Sequence, residues 1–278
     1  MLEKLLEKKT LETVGLVIAV IGIAALILSL LAGVAGFDNK VPEKLTVTRV
    51  CGSVAFIGVV LNLGYRPYRP ARLVPLRSAV FLILPALIVV INNLPILPLL
   101  SGEAIVLAES SEIFAFAVEC LFIGIFEETA FRGILLLTIV DKYGKTREGL
   151  FWSAVGTSAF FGIAHLFNLF GGADVGATFL QAGYSFLIGA MCSLILLLTG
   201  SLASCCILHA IYDFGGYLVP RLGAGTVWTG PEMALTAVIG SAAFVFYFYS
   251  SRLLSPRISR RLVGAAPKKK KAETEAEA

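Results

Sequence analysis

Charge is scarce in this chain. Of its 278 residues only 15% are Asp, Glu, Lys or Arg, whereas 57% are hydrophobic, and the mean hydropathy is +0.86. A soluble globular domain carries about 25% charged residues. The shortage of charge therefore predicts an integral membrane protein that is surrounded by membrane lipids and has no nucleic acid among its partners.

Cysteine and histidine are also sparse. The five cysteines all lie inside apolar runs, which excludes the disulfide framework of a small secreted domain and a structural zinc site built from loops. Only two histidines are present, and no HExxH motif places two of them on one helix with a base. The chain also shows no internal repeat, so a single unit is expected.

Long apolar segments are abundant. About eight of them approach the roughly 20 residues that cross the hydrocarbon core. They predict an all-α fold, a polytopic transmembrane helical bundle at 14–250, preceded by a cytoplasmic amphipathic segment at 1–13 and followed by a basic, disordered cytoplasmic tail at 251–278. The spans are expected at 14–36, 49–65, 79–100, 110–140, 150–170, 178–198, 202–219 and 232–250.

Basic residues predict how the bundle is oriented. They follow the second, fourth and eighth spans and also precede the first span. Cytoplasmic loops carry an excess of Lys and Arg, so both termini are expected in the cytoplasm.

A few ionisable residues interrupt the apolar spans. Each costs about 2.5 to 3.5 kcal/mol at the bilayer centre, so such residues usually face the protein interior and mark a functional site. At about 1.5 Å per residue, three separate spans bring these side chains to a similar depth. They are Glu127, Glu128 and Arg132 in the fourth span, His165 in the fifth, and His209 with Asp213 in the seventh. Glu112 and Glu119, nearer the outer end of the fourth span, are expected at the interface.

Helical phase separates the two adjacent glutamates. Glu128 and Arg132 are four residues apart on one face, where they can form an ion pair. Glu127 lies about 100° around the helix, so it is less well placed for Arg132 and remains available for chemistry. His209 and Asp213 also share a face, and an Asp beside a His can fix its tautomer. The alternative interpretation of the charged set is a purely structural polar contact between helices.

Three short motifs resemble those of a known family. EETAFR resembles EExxxR, FGIAH resembles FxxxH, and HAIYD resembles HxxxN/D, the motifs of the CAAX-processing and bacteriocin-processing (CPBP, or Abi) family of intramembrane proteases, to which the type II CAAX prenyl endopeptidases belong. The motifs follow the family's order, and each lies on its own predicted helix. The resemblance places the catalytic core at 110–219.

The resemblance implies an intramembrane endopeptidase acting on a membrane-tethered or prenylated, CAAX-type peptide or protein. Glu127 and His165 would activate water, while His209 with Asp213 would polarise the scissile carbonyl and stabilise the oxyanion. Glu128 and Arg132 would support them. The site would be reached from the cytoplasm, in the plasma membrane of a prokaryote or in an endomembrane.

Several alternatives stay open. Many family members carry Asn where this chain has Asp213, so Asp213 would be protonated, orient His209 or bind a metal; orientation is favoured. Family members are commonly described as metalloproteases, and Glu127, His165, His209 and Asp213 would then bind a divalent metal such as zinc. The same residues would equally support a metal-free mechanism. Outside this enzyme class, a proton-coupled transporter or a non-catalytic scaffold would use the same buried groups.

Overall fold

The structure is a computed structural model that describes residues 10, 12–24, 27, 41–65 and 75–263. Nearly all of them are helical, because backbone groups in lipid must find their hydrogen-bond partners within the segment. The first helices are α1 (Glu12–Ala24), α2 (Val41–Asn62), α3 (Leu76–Asn92), α4 (Ile96–Ser101), α5 (Ser110–Glu128) and α6 (Leu137–Tyr143). The later ones are α7 (Arg147–Ala164), α8 (Val175–Thr199), α9 (Leu202–Leu222), α10 (Gly230–Ser250) and α11 (Pro256–Leu262).

The prediction of a helical membrane bundle is confirmed. Five helical segments among the described residues are long and apolar enough to cross a membrane, and α1 and part of α2 form shorter apolar helices. The count of eight spans stays a prediction. The expected first span at 14–36 is described only at 14–24 and 27, and most of the 1–13 segment lies outside the described residues.

Capping side chains mark where three helices begin. Thr146, Asp174 and Ser201 accept hydrogen bonds from backbone N–H groups in the first turns of α7, α8 and α9. Such caps satisfy donors that have no partner within the helix. They fix the ends of the helices that carry both histidines.

A π-helical segment, Thr129–Leu136, joins α5 to α6. The chain therefore remains helical from residue 110 to residue 143 but is locally wound more loosely, with i→i+5 hydrogen bonds. Nothing in the apolar pattern predicted this change. It begins directly after Glu128 and contains Arg132, so it overlaps the second part of the first motif.

The two ends of the bundle differ in charge. At the ribbon end, strands β1 (Ala104–Val106) and β2 (Gly223–Gly225) pair antiparallel between the start of α5 and the end of α9. At the opposite end, called here the basic end, lie the α6–α7 connection, the start of α3 and the end of α10. Its described basic residues are Arg77, Lys142, Lys145, Arg147, Arg252, Arg257 and Arg261.

The expected disordered tail begins later than 251. Ser251–Leu253 form a 3₁₀ turn and α11 follows, with Leu254 and Leu262 buried. Burial of these two leucines holds the segment against the bundle. The predicted tail beyond residue 263 lies outside the described residues.

Candidate active site

A cavity of about 330 Å³ lies between α5, α7, α8 and α9. It is lined by all four residues that the sequence predicted as catalytic, Glu127, His165, His209 and Asp213, and by neither Glu128 nor Arg132. Three helices thus bring their acidic and imidazole groups to one void.

The two adjacent glutamates have different surroundings. Glu128 is fully buried, and its Oε1 accepts a hydrogen bond of 2.9 Å from Arg132 Nη1, so the expected ion pair is present. The side chain of Glu127 is 27% exposed, as against 0% for Glu128. Glu127 therefore remains accessible to a substrate or water, whereas Glu128 belongs to the interior.

His209 is enclosed by carboxylates. Its Nδ1 lies 2.7 Å from Glu128 Oε1, while Nε2 lies 3.6 Å from Glu127 Oε2 and 3.5 Å from Asp213 Oδ2. Since an ionised carboxylate only accepts, Nδ1 carries the proton and donates to Glu128. Glu128 therefore makes the shortest contact with this ring and orients it. The sequence favoured Asp213 for that role.

His165 is held by the backbone of its own helix. Its Nδ1 lies 2.9 Å from the carbonyl oxygen of Phe161, one turn earlier. Because a carbonyl oxygen only accepts, Nδ1 carries a proton, and Nε2 is the ring nitrogen left to accept one in the neutral tautomer. That atom is a proton acceptor on a residue that lines the cavity.

Phe161 is the aromatic platform of the site. Its buried ring packs edge-on against His165 and His209, with centroid separations of 4.8 and 5.9 Å. The guanidinium of Arg132 lies over the same ring, 4.4 Å from its centroid, in a cation–π arrangement. One side chain thus contacts both histidines and the cation of the buried ion pair, which explains why the second motif needs an aromatic residue.

The position of Glu119 differs from the one expected from the sequence. It is buried, where an interfacial position was expected, and it accepts hydrogen bonds from two arginines, Arg49 Nη1 at 2.7 Å and Arg221 Nη1 at 3.1 Å. All three residues line the cavity. Arg49 and Arg221 lie near the predicted limits of their spans, and only the folded arrangement shows that they meet. Glu112, by contrast, is exposed and forms a capping box with Glu109 at the start of α5.

Three polar side chains on one wall of the cavity are linked by hydrogen bonds that the sequence did not predict. Asn168 donates to Gln181 Oε1 at 2.9 Å, and Gln181 donates to the Tyr217 hydroxyl at 3.2 Å. The three residues come from the 3₁₀ turn after α7, from α8 and from α9. An alternating pattern of polar residues on these helices would have been the only sequence signal.

The candidate metal ligands do not converge in this arrangement. Within the described part of the chain, the one group of three ligand atoms within 4.8 Å of one another belongs to Glu128, Cys192 and Cys205. That group is fully buried, and its carboxylate already accepts from Arg132 and His209. A catalytic zinc site needs three protein ligands on one ion, and no three of Glu127, His165, His209 and Asp213 meet this distance in the described arrangement.

The cavity lies towards the ribbon end. The α8 residues that line it lie between Gln181 and Ile188 and the α9 residues between His209 and Arg221, and these parts of both helices lead to that end. The basic residues of the α6–α7 connection lie at the opposite end. The cytoplasmic position of the termini and access to the cavity from the cytoplasm, both expected from the sequence, stay predictions.

Comparison with known proteins agrees with the motifs. Residues 109–215 match the model of a family described as type II CAAX prenyl endopeptidase, Rce1-like. No match was found among curated proteins or among solved structures. The matched segment runs from the start of α5 to the middle of α9 and includes all three motifs, as the resemblance predicted. Over this segment, which is less than half of the chain, the protein is similar to the Rce1-like family of type II CAAX prenyl endopeptidases.

Proposed function

We propose that this protein is an intramembrane endopeptidase that hydrolyses a peptide bond of a membrane-tethered or prenylated, CAAX-type substrate. The match of residues 109–215 to the model of a protease family supports the reaction class. The observation that carries the residue assignment is the shared cavity, in which Glu127 is accessible and two histidines from other helices lie on the same void.

Water is activated between Glu127 and His165. The unprotonated Nε2 of His165 and the Glu127 carboxylate both accept protons, so each can orient a water molecule and take its proton during attack on the carbonyl carbon. Glu127, now protonated, returns that proton to the leaving amine as the C–N bond breaks. The second proton of the water passes from the new carboxyl group to the amine, so the reaction ends with a carboxylate, an ammonium group and the original Glu127.

His209 stabilises the developing oxyanion. With Nδ1 donating to Glu128, a protonated ring has a second donor at Nε2, which points to the side of Glu127 and Asp213. A donor fixed in place before the reaction stabilises the charge that develops in the transition state. Glu128, Arg132 and Phe161 position this ring.

An apolar groove beside the cavity supports a lipid-anchored substrate. The groove has a volume of about 590 Å³, runs between α3, α7, α8 and α10, and shares Tyr184, Ile188 and Tyr212 with the catalytic cavity. An isoprenoid or acyl chain in this groove would bring the adjacent peptide to Glu127. Apolar burial of the chain contributes about 0.8 kcal/mol per CH₂.

The orientation in the membrane follows from the charges. Most of the described Lys and Arg residues lie at the basic end. Lys44, in the first turn of α2, lies towards the ribbon end, and Arg49, Arg132 and Arg221 have Glu119 and Glu128 as described acidic partners. We place the basic end in the cytoplasm by the positive-inside rule. The cavity then opens towards the other face, in place of the cytoplasmic access expected earlier.

A cleavage assay tests the function. Purified protein in detergent is given a quenched fluorescent peptide with a prenylated cysteine and, separately, one with an acyl anchor. Glu127→Gln and His165→Ala are expected to lower kcat by about 100- to 10,000-fold, the usual contribution of a general base. Glu148→Gln, an exposed glutamate at the basic end, is the matched control and should cleave normally.

Three outcomes would count against the proposal. Normal cleavage by both variants would remove their assigned roles. If dialysis against a chelator abolished cleavage and zinc restored it, a metal-based step would have to replace water activation by Glu127 and His165. Proton movement in liposomes without cleavage of either peptide would favour the transporter.

A further inference from the structure

A separate cavity, of about 720 Å³, lies at the basic end of the bundle. Its walls come from the start of α3, the end of α8, the end of α10 and α11. Cavities that hold small ligands have volumes of about 300 to 1,000 Å³. None of its lining residues also lines the catalytic cavity, so the proposed hydrolysis leaves this space without a role.

The polar side chains around this cavity are cationic or neutral. Arg77 comes from α3, whereas Arg257 and Arg261 come from α11. No described Asp or Glu lines the cavity, and neither Arg77 nor Arg257 has an acidic partner among the described side chains. A guanidinium can donate two parallel hydrogen bonds to a phosphate. Three of them around one space, without a carboxylate to offset their charge, favour an anion as the occupant.

Hydroxyl groups and apolar groups complete the lining. The serines are Ser78, Ser250 and Ser255, and the apolar residues are Phe81, Leu82, Leu198 and Leu253. Serine hydroxyls can donate further hydrogen bonds to phosphate oxygens. A small soluble anion has no use for apolar walls, whereas a phospholipid carries acyl chains next to its phosphate.

The cations and the apolar groups are arranged at different depths. Arg77 and Phe81 are four residues apart, so they share one face of α3 and lie about 6 Å apart along its axis. Arg77 begins the apolar span, and Phe81, which is 63% exposed, lies one turn further into it. A charged group above an apolar surface is the arrangement that a phospholipid needs.

The cavity also lies at the level of the lipid headgroups. Leu198 and Ser250 come from the last residues of α8 and α10, and Arg77 from the first turn of α3, so three apolar spans end or begin around it. Headgroups occupy the layer just outside the hydrocarbon core, where spanning helices end. Basic pockets between membrane helices bind anionic headgroups in this layer.

We propose that this cavity binds one anionic phospholipid, with Arg77, Arg257 and Arg261 contacting its phosphate and an acyl chain lying along Phe81 and Leu253. The bound lipid links α3 to α11, because the arginines come from both helices. The site differs from general attraction of the basic end to the membrane, since the basic residues of the α6–α7 connection do not line the cavity. It is independent of the proposed function.

Thermal unfolding of the full-length protein tests the site. The protein in an uncharged maltoside detergent receives phosphatidylglycerol or, at the same mole fraction, phosphatidylcholine, and tryptophan fluorescence reports the midpoint. Phosphatidylglycerol should raise the midpoint by about 3 °C or more relative to phosphatidylcholine, because a ligand that binds only the folded state stabilises it. In Arg77→Gln and in Arg257→Gln this difference should fall towards zero.

Arg252→Gln is the matched control. Arg252 is an exposed arginine at the same end of the bundle, and it does not line the cavity. The variant should keep the full difference between the two lipids. If it loses as much of the difference as Arg77→Gln does, the attraction is spread over the whole basic end, and the proposal is overturned. Equal midpoints of the wild-type protein in the two lipids would also overturn it.

Two soluble anions separate a lipid from free phosphate. Inorganic phosphate and glycerophosphoglycerol carry the anionic group without acyl chains, so at the concentration of the lipid they should leave the midpoint unchanged. Stabilisation by either anion equal to that by phosphatidylglycerol would make the site one for a soluble phosphate and refute the lipid.

Native mass spectrometry gives a second measurement that does not depend on stability. The wild-type protein and Arg252→Gln should each retain one phosphatidylglycerol after the detergent is removed. The retained fraction should fall about tenfold in Arg77→Gln and in Arg257→Gln, because each loses charge-assisted hydrogen bonds to the phosphate. Retention unchanged in both variants would contradict the assignment of these arginines.

Discussion

Glu127 and Glu128 are adjacent in the chain and belong to different parts of the molecule. Glu128 is fully buried between the Arg132 guanidinium and the His209 ring. Glu127 faces the cavity, with no hydrogen-bond partner closer than the 3.6 Å contact with His209 Nε2 among the described residues. A difference of about 100° in helical phase thus separates an ion pair of the interior from a group available for chemistry.

The first prediction concerns stability. Glu128→Gln should lower the free energy of unfolding by about 3 to 5 kcal/mol, because Arg132 would remain as a buried charge without its counter-ion. Thermal unfolding in detergent, followed by tryptophan fluorescence, measures the effect. Glu127→Gln is the matched control and should unfold close to the wild-type temperature. Equal losses in the two variants would mean that Glu127 is also structural.

The second prediction concerns Asp213. An ionised Asp213 cannot donate a hydrogen bond to an oxyanion, whereas an Asn at this position can. Because Glu128 already holds the His209 ring at 2.7 Å, orientation does not require the Asp213 carboxylate. Asp213→Asn should therefore retain or raise kcat/KM and should exceed Asp213→Ala by about 100-fold or more, because only the Asn side chain can donate to the oxyanion. An inactive Asn variant would show that the carboxylate itself is required.

At the scale of elements, close packing of α5 against α9 brings the catalytic groups together. A Cβ on Gly124 of α5 would lie 2.5 Å from the carbonyl oxygen of Cys206 and 3.1 Å from the backbone nitrogen of Ala210. Such small residues allow the backbones of membrane helices to approach closely. His209 lies between those two α9 residues, so this contact sets its distance from Glu127.

The third prediction uses two glycines. Gly124→Ala should destabilise the protein by about 1 to 3 kcal/mol and lower kcat, since α5 and α9 must separate to admit the methyl group. Gly156→Ala on α7 is the control, because a Cβ there would meet nothing within 4 Å. Thermal midpoints and cleavage rates of both variants provide the measurement. Equal behaviour of the two variants would contradict this account of the interface.

The sequence predicts where the helices and their buried charged groups lie along the chain. It does not predict where the helix geometry changes locally. Apolar runs and rare charges identify helices and their buried groups, because both signals depend on transfer from water to lipid. The π-helical segment at Thr129–Leu136 leaves no such signal. Burial of Glu119 was missed for a related reason, since its partners Arg49 and Arg221 come from helices distant in sequence.

At the scale of the whole molecule, the cavity lies nearer the ribbon end, whereas most of the described basic residues lie at the basic end. Counting basic residues orients spans, and counting residues along a span gives depth from one surface. Neither count shows from which end a cavity can be entered. That depends on which halves of α8 and α9 face the void, and only the packed bundle determines it.

The fourth prediction tests the orientation. A membrane-impermeant maleimide applied to intact cells should label Ala173→Cys, which is exposed at the ribbon end, and should label Lys145→Cys only after the membrane is permeabilised. The unsubstituted protein is the control, since four of its five cysteines are buried and Cys51 is partly buried. The reverse labelling pattern would place the cavity on the cytoplasmic side, as the sequence analysis expected.

Two apolar helices of similar composition occupy opposite environments. In α8, 67% of the apolar window is buried within the protein, as against 11% in the segment that contains α10. A position packed against other side chains tolerates only residues of similar volume, because the protein interior is close-packed. A position that faces lipid acyl chains tolerates apolar residues of almost any shape. Over evolutionary time α10 should therefore drift freely among Leu, Ile, Val and Phe, while the second half of α8 should change only through paired, size-compensating replacements.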